Sequence, residues 1–501
     1  MKPPHARRLP EPLSPQPQGL HRLSWALSLV LPLLLGACAT VTPAQPDTAL
    51  ATVPAQWSHA PSGAQGGTAT DIAGWWTRFQ DAQLTALVDQ ALQANTNVKA
   101  AQAAVRQARA LADVQQAGLG PTVGASGLAQ RSRTGSNDAS HLFKAGFDAG
   151  WEPDLFGGNQ ASADASAADA RASAASLADT RVSLAAEVAA AYINLRGLQN
   201  RLAVARANLD NQNETLQITR WRNQAGLASS LEVEQAVSTT EQTRAQIPAL
   251  QTSVTQALNA LAVLTGLAPG QLSTELATTA PVPPPPPDLA LAFPADTLRQ
   301  RPDVRAAELR VRAAVARIAV ADAARRPGFR LSGSLGLSAL TLGSLTNSAS
   351  LVQSLLASVS ATVFDGGAGR TQVRAQQAAM EQTMATFEGV ALAALQEVED
   401  ALVAIQGDTE RLQRLRAAAD AAAQAERLAR QRYTSGLIDF ATVLTTQRTL
   451  LSTQDSVAAA QASLSTDHVR LYKALGGGWK PDTDTVAGVD DVAAAAPAAQ
   501  P

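Results

Sequence analysis

The sequence predicts a mainly α-helical chain that also carries four β-strands of the membrane-barrel kind, with its helices drawn out into long antiparallel coiled-coil hairpins. Three observations carry this prediction. The chain repeats itself at an offset of 210 residues, each repeat holds one very long helical stretch, and the segments between helices alternate apolar and polar residues with a period of two. Composition agrees. Hydrophobic residues make up 46% of 501 but aromatics only 4%, so Ala and aliphatic side chains dominate, which suits closely packed helices. Forty Lys+Arg against 42 Asp+Glu leave no basic excess, and no nucleic-acid partner is expected. One cysteine excludes an intrachain disulfide framework or a Cys-cluster zinc site, and five scattered histidines offer little for metal or acid–base chemistry.

Residues 1–37 read as an export signal. Lys2, Arg7, Arg8 and Arg22 form a basic region, and Trp25 to Leu35 form an apolar stretch too short to span a bilayer as a helix. The stretch ends in Leu35-Gly36-Ala37-Cys38, which resembles a bacterial lipobox, so Cys38 is expected to be the lipid anchor. Ala39 stands where an inner-membrane retention signal would carry Asp, which implies the outer membrane. Residues 38–74, rich in Ala, Pro, Thr and Gly, read as a tether.

The first repeat is expected over 75–280 and the second over 290–479, with a Pro-rich linker at 281–289 and a disordered tail at 480–501. The offset of 210 superposes Glu187-Val188 on Glu397-Val398, Arg201-Leu202 on Arg411-Leu412, Arg220 and Arg222 on Arg430 and Arg432, and Gly226-Leu227 on Gly436-Leu437. Upstream the offset is 206, pairing Val98 with Val304, Pro121 with Pro327 and Gly127 with Gly333. In the first repeat, Leu84–Gly118 is helical in character, Pro121–Arg133 and Leu142–Glu152 read as strands, and Asn159–Ala225 is one helix. Val188, Leu195, Leu202, Leu209 and Leu216 recur every seven residues along it, the mark of a coiled-coil seam. After Gly226 and Gly436 the chain turns back into Ser229–Leu264 and Phe440–Leu475.

Phe143 to Trp151, Phe329 to Leu337 and Leu355 to Val363 place apolar residues at every second position. Strands near ten residues match a tilted membrane crossing, and only helices or closed barrels satisfy their backbone in lipid. Four strands cannot close a barrel. A homotrimer would supply twelve strands around a water-filled pore.

Five stretches carry a family likeness: Trp75-Trp76 with Phe79, Asp81 and Leu84; Trp151-Glu152-Pro153-Asp154-Leu155-Phe156-Gly157; Arg301-Pro302-Asp303-Val304; Phe364-Asp365-Gly366-Gly367; and Leu471-Tyr472 through Trp479. With these the chain resembles the outer-membrane efflux proteins of the TolC type, in the lipoprotein branch typified by OprM and NodT. The resemblance implies the exit duct of a tripartite efflux system, a homotrimer whose twelve-stranded barrel continues into an α-helical tunnel. It would be fed by a periplasmic adaptor and an inner-membrane pump of the resistance–nodulation–division type, with no catalysis and no cofactor. It also implies that the hairpin tips, Ala225-Gly226-Leu227 and Ser435-Gly436-Leu437, contact the adaptor. Relatives often carry a ring-forming Asp shortly after the second tip; here Leu444-Thr445-Thr446-Gln447 puts Thr445 in that place. Arg430, Arg432, Tyr433, Asp439, Thr442 and Thr445 are therefore the expected residues of the periplasmic aperture, with weaker cation selectivity than acidic-ring relatives. The competing reading is a periplasmic coiled-coil adaptor lipoprotein without a pore.

Overall fold

The computed structural model describes residues 53–60, 72–133, 135, 137–286, 291 and 294–479. The expected signal segment 1–37, the anchor Cys38, much of the tether, linker residues 287–289 and the tail 480–501 lie outside the described residues. After a short 3-10 turn at Trp75–Phe79, the chain runs α1 (Ala82–Ala94), α2 (Thr96–Ala117), β1 (Thr122–Ser132), β2 (Ser140–Trp151), α3 (Gly158–Gln224) and α4 (Ser230–Leu264). It continues through α5 (Pro294–Gln300), α6 (Pro302–Ala323), β3 (Gly328–Ala339), β4 (Leu351–Ser360), α7 (Ala368–Thr434) and α8 (Phe440–Ala474).

The duplication is visible in the element lengths. Helices α3 and α7 have 67 residues each and begin 210 apart; α4 and α8 have 35 each at the same spacing. Helices α2 and α6 have 22 residues each and begin 206 apart. At 1.5 Å per residue, α3 and α7 are each about 100 Å long.

Two expectations are corrected. The single helix over Leu84–Gly118 is two helices broken at Asn95, which is extended rather than helical. Its side chain competes with the backbone: Oδ1 accepts from the N–H groups of Asn97 (2.8 Å) and Val98 (3.4 Å), while Nδ2 donates to the Leu264 carbonyl (2.9 Å). The fourth strand lies at Leu351–Ser360, not Leu355–Val363. The ladder with β3 ends where Gly328 meets Ser360, so Ala361 and Val363 have no ladder partner among the described residues.

The chain forms two compact units, and each draws on both repeats. One comprises Gln116–Ser162 and Ala316–Arg374 and holds the four-stranded antiparallel sheet in the order β1-β2-β3-β4. The register puts Val123, Phe147, Trp151, Leu335, Leu355 and Val359 on one face, all of them exposed. Lys144, Asp148, Arg330 and the serines 126, 332, 334, 354 and 358 occupy the other, with apolar exceptions such as Leu128 and Leu356. There the Ser126 hydroxyl donates to Asp148 Oδ2 (2.6 Å), and Ser334 and Ser354 share a hydrogen bond of 2.8 Å. Gly146 faces Gly336 across the β2–β3 ladder on this polar side. A Cβ at Gly336 would stand 2.7 Å from the Ala145 carbonyl oxygen and 2.8 Å from Gly146 Cα, so the two backbones approach too closely at this pair to admit a side chain.

The second unit is helical, and its core gathers family-like stretches that are far apart in sequence. Trp75 stacks on Tyr472 with ring centroids 5.5 Å apart and takes Trp76 edge-on at 5.8 Å. Beside them the buried Arg301 donates to Asp303 (2.6 and 3.0 Å), Glu397 Oε2 (2.7 Å) and the Ala474 carbonyl (2.9 Å). The Trp479 indole donates to the Gln300 carbonyl at 2.9 Å. This cluster ties the start of repeat one to both ends of repeat two.

Along α3 a second seven-residue series runs one position ahead of the leucines, and it is polar. Arg201 grips Asp455 through two hydrogen bonds (2.7 and 3.0 Å), Asn208 donates to Gln454 Oε1 (2.8 Å), and Thr215 accepts from Gln447 Nε2 (2.8 Å). Helices α3 and α8 are thus registered by a ladder of polar contacts beside the leucine series.

Candidate functional site

Both hairpins reverse through the same backbone device. In the first, the Leu227 N–H donates to the Arg222 carbonyl (2.7 Å) and the Gly226 N–H to that of Asn223 (2.9 Å). In the second, Leu437 donates to Arg432 and Gly436 to Tyr433, both at 2.9 Å. This double closure needs a left-handed residue, and Gly226 (φ 73°) and Gly436 (φ 72°) supply it without a Cβ penalty. The leucine that follows is left in the open: Leu227 is 69% exposed and Leu437 74%. Ala225 and Ser435, just before the glycines, are exposed as well.

The chain then restarts as a helix with different chemistry in each repeat. Ser229 forms a capping box with Glu232 at the start of α4. At α8 an aspartate takes that place: Asp439 Oδ1 accepts from the Thr442 hydroxyl and from the Thr442 N–H at 2.9 Å. These two bonds, the hydroxyl's the stronger, hold the Asp439 carboxyl below the ordinary carboxylate range. Thr442 and Thr445 are exposed on α8, and the Thr445 hydroxyl donates back to the Ala441 carbonyl (2.8 Å).

The remaining predicted residues separate. Tyr433 is buried in a small apolar cluster with Leu216, Ala236, Ala429, Phe440 and Val443, its ring 5.2 Å from Phe440. Burial raises its phenol above the usual value. Arg430 reaches across to α3, its Nη1 2.8 Å from Glu214 Oε2. Arg432 points into solvent. Two further residues take part. Glu214 carried no signal in the sequence. Arg222 did, as the repeat mate of Arg432: its guanidinium lies 4.7 Å over the Tyr433 ring and donates to the carbonyls of Tyr433 (3.3 Å) and Thr434 (3.4 Å). It thereby joins the first hairpin's end to the second's.

A sheet with one exposed apolar face and one polar face, carried by a chain with two hairpins of about 100 Å, defines a channel protein of the outer membrane. The chain belongs to the outer membrane efflux protein family, whose profile matches residues 87–267 and 293–477, one match to each repeat. Over 476 residues it is 34% identical to the pyoverdine export outer membrane protein OpmQ of Pseudomonas aeruginosa, covering 91% of this chain and 98% of that protein. Over 460 residues it is 31% identical to nodulation protein T of Rhizobium leguminosarum bv. viciae, covering 90% and 92%. It superposes on the outer-membrane channel OprN with a TM-score of 0.83 at 34% identity, covering 88% of this chain and 100% of that one. The TolC-like fold and the OprM/NodT branch implied by the motifs are thereby established, and the protein is an outer-membrane efflux channel, not an enzyme.

Proposed function

We propose that three copies of the chain close one twelve-stranded barrel in the outer membrane and continue it as an α-helical tunnel through the periplasm. Cys38, acylated, anchors each copy at the periplasmic side of that membrane. The tips at Ala225-Gly226-Leu227 and Ser435-Gly436-Leu437 engage a periplasmic adaptor, and a resistance–nodulation–division pump in the inner membrane supplies substrate and energy. Conduction through the duct is passive. The observation that carries this reading is the sheet: its apolar face is exposed, and among the described residues β1 and β4 each pair on one side only. An open edge is intolerable in lipid, and joining the edges of three copies removes all six. The polar face then lines water.

At the periplasmic end, Arg430, Arg432, Tyr433, Asp439, Thr442 and Thr445 form the aperture. Threonine hydroxyls occupy the expected ring position, and Asp439 is engaged at the α8 N-terminus. The aperture is therefore closed by hydrogen bonding and packing in place of an acidic ring.

The test is reconstitution of the purified, acylated protein into planar bilayers, with gels run before and after boiling. Discrete conductance from a heat-modifiable trimer is expected, together with palmitate labelling that Cys38→Ser abolishes. A protein that remains monomeric and never conducts would instead be the non-pore coiled-coil lipoprotein.

A further inference from the structure

We infer that β4 of one copy continues onto β1 of the next in the register that β2 and β3 already use within the chain, setting Val363 opposite the next copy's Val123. This rests on the trimeric barrel proposed above and fixes its seam residue by residue.

The argument begins with the repeat. Thr122 stands opposite Gly150 in the first β-hairpin, and Gly328 opposite Ser360 in the second. Adding 206 to β1 numbers and 210 to β2 numbers therefore superposes one hairpin on the other, and these are the offsets that relate α2 to α6 and α3 to α7. A barrel of three copies contains six such hairpins in a ring, with three joints inside chains and three between them. The inner joint is visible: Trp151 opposite Leu331. The residue 210 beyond Trp151 is Ala361, and the residue 206 before Leu331 is Ala125, so Ala361 faces the next copy's Ala125. Counting along both antiparallel strands, Ser360 faces Ser126, Val359 faces Gly127 and Ala357 faces Ala129. In the other direction Val363 faces Val123.

Features outside this arithmetic favour the same register. It opposes odd-numbered residues to odd-numbered ones, so the apolar faces of neighbouring copies merge; a slip of one residue would turn every apolar side chain to the water side. It also gives two exposed residues a neighbour: Val363, 98% exposed and three residues beyond the end of β4, meets Val123, 71% exposed on β1. At the inner joint the counterpart of Val123 is Phe329, which is already partly covered by Phe156 at a centroid distance of 6.4 Å. The seam is not a perfect copy. Glu152 and Arg330, an ion pair of 3.1 Å at the inner joint, become Thr362 and Gly124, and the pinched Gly146–Gly336 pair becomes Leu356 and Gln130. The seam thus has neither the ion pair nor the glycine pair of the inner joint.

The experiment is oxidative cross-linking of the full-length protein in outer-membrane vesicles with copper phenanthroline. One double variant, S126C with S360C, lies on the polar face; a second, A129C with A357C, lies on the apolar face and guards against local misfolding of the first. Directly opposed Cβ atoms are about 4.5–5.5 Å apart, near disulfide range, whereas a two-residue slip moves them to about 7–8 Å. Both in-register pairs should give covalent dimers and trimers about ten-fold faster than the slipped pair S126C with S358C, and single variants should give none. Faster linking of the slipped pair overturns the register. So does the absence of linking from both in-register pairs in protein that native mass spectrometry shows to be trimeric. Protein that is monomeric by the same measurement overturns the trimeric reading, and the seam falls with it.

Discussion

Arg430 on α7 lies 2.8 Å from Glu214 on α3, so an arginine expected to latch the aperture is bound to the other hairpin of its own chain. Both side chains are partly or largely exposed, which limits such a pair to about 0–1 kcal/mol. A weak, screened tie suits a joint that has to open. We expect Glu214→Gln to raise mean open probability in planar bilayers while leaving Tm nearly unchanged, and to make the channel insensitive to salt between about 0.1 and 1 M, a range over which the Debye length falls from about 10 Å to about 3 Å. Restoration of the closed state by the exchange of Glu214 and Arg430 would confirm the pair; unchanged gating in Glu214→Gln would remove it from the mechanism.

Asp439 yields a second prediction. Its folded-state pKa is lowered by the Thr442 hydroxyl and N–H, so its contribution is fully present above the ordinary value of 3.8 and is lost as pH falls through the lower folded value. Amide exchange at Thr442 and Val443 should be slow at pH 7 and accelerate only in strong acid. Asp439→Ala should bring that acceleration to neutral pH, whereas Asp439→Asn, which keeps the acceptor, should not. In reversal-potential measurements the channel should show weak cation preference. A strong preference abolished by Asp439→Asn would assign the selectivity ring to Asp439.

A third concerns the glycine pair of the sheet. Any Cβ at Gly336 meets backbone atoms of Ala145 and Gly146 at 2.7–2.8 Å, so Gly336→Ala should destabilise the sheet by about 1–3 kcal/mol and weaken heat-resistant trimers. Gly333→Ala, whose new methyl would sit 3.7 Å from the Ser354 carbonyl, is the matched control and should behave as wild type. Equal behaviour of the two variants would show that the sheet is not pinched at Gly336.

His468 gives the fourth. It is buried on α8 with Nδ1 2.9 Å from the Leu464 carbonyl, and burial lowers its pKa below 6.5. A depressed histidine favours the neutral folded form, so stability is complete above the ordinary value and declines as pH falls through the folded one. Denaturation midpoints should fall as pH drops below the ordinary histidine value of 6.5. His468→Gln should flatten that drop, and an unaltered slope would assign the acid sensitivity elsewhere.

Much of this architecture was legible in the residues because it rests on periodicity and repetition. Helix limits at Gly158–Gln224 and Phe440–Ala474 fell within a residue or so of expectation, since Pro-free seven-residue patterning and glycine stops are local signals. The break at Asn95 was less legible, because a cap inside an apolar-periodic run competes with that pattern from a single side chain. The shift of β4 followed from pairing: which residues of a strand join a ladder depends on where its neighbour ends.

The tip turns were readable for the same local reason, whereas the aperture was not. Arg430, Tyr433 and Arg222 look alike as positions on a charged helix end. Only packing separates a buried ring under a guanidinium from an exposed pair and a free-facing arginine.

By itself, then, the sequence determined the duplicated plan, the long hairpins, the alternation that gives the sheet two unlike faces, and the family to which these belong. Those follow from chain-local periodicities and from residue types that tolerate few backbone conformations. The tertiary structure decided how the two repeats are shared. It drew one sheet from both halves, gathered Trp75, Arg301, Tyr472 and Trp479 into one core, and ran a polar ladder beside the leucines of α3. Such contacts join residues up to several hundred positions apart, and their energies depend on close approach in space, which no local pattern encodes.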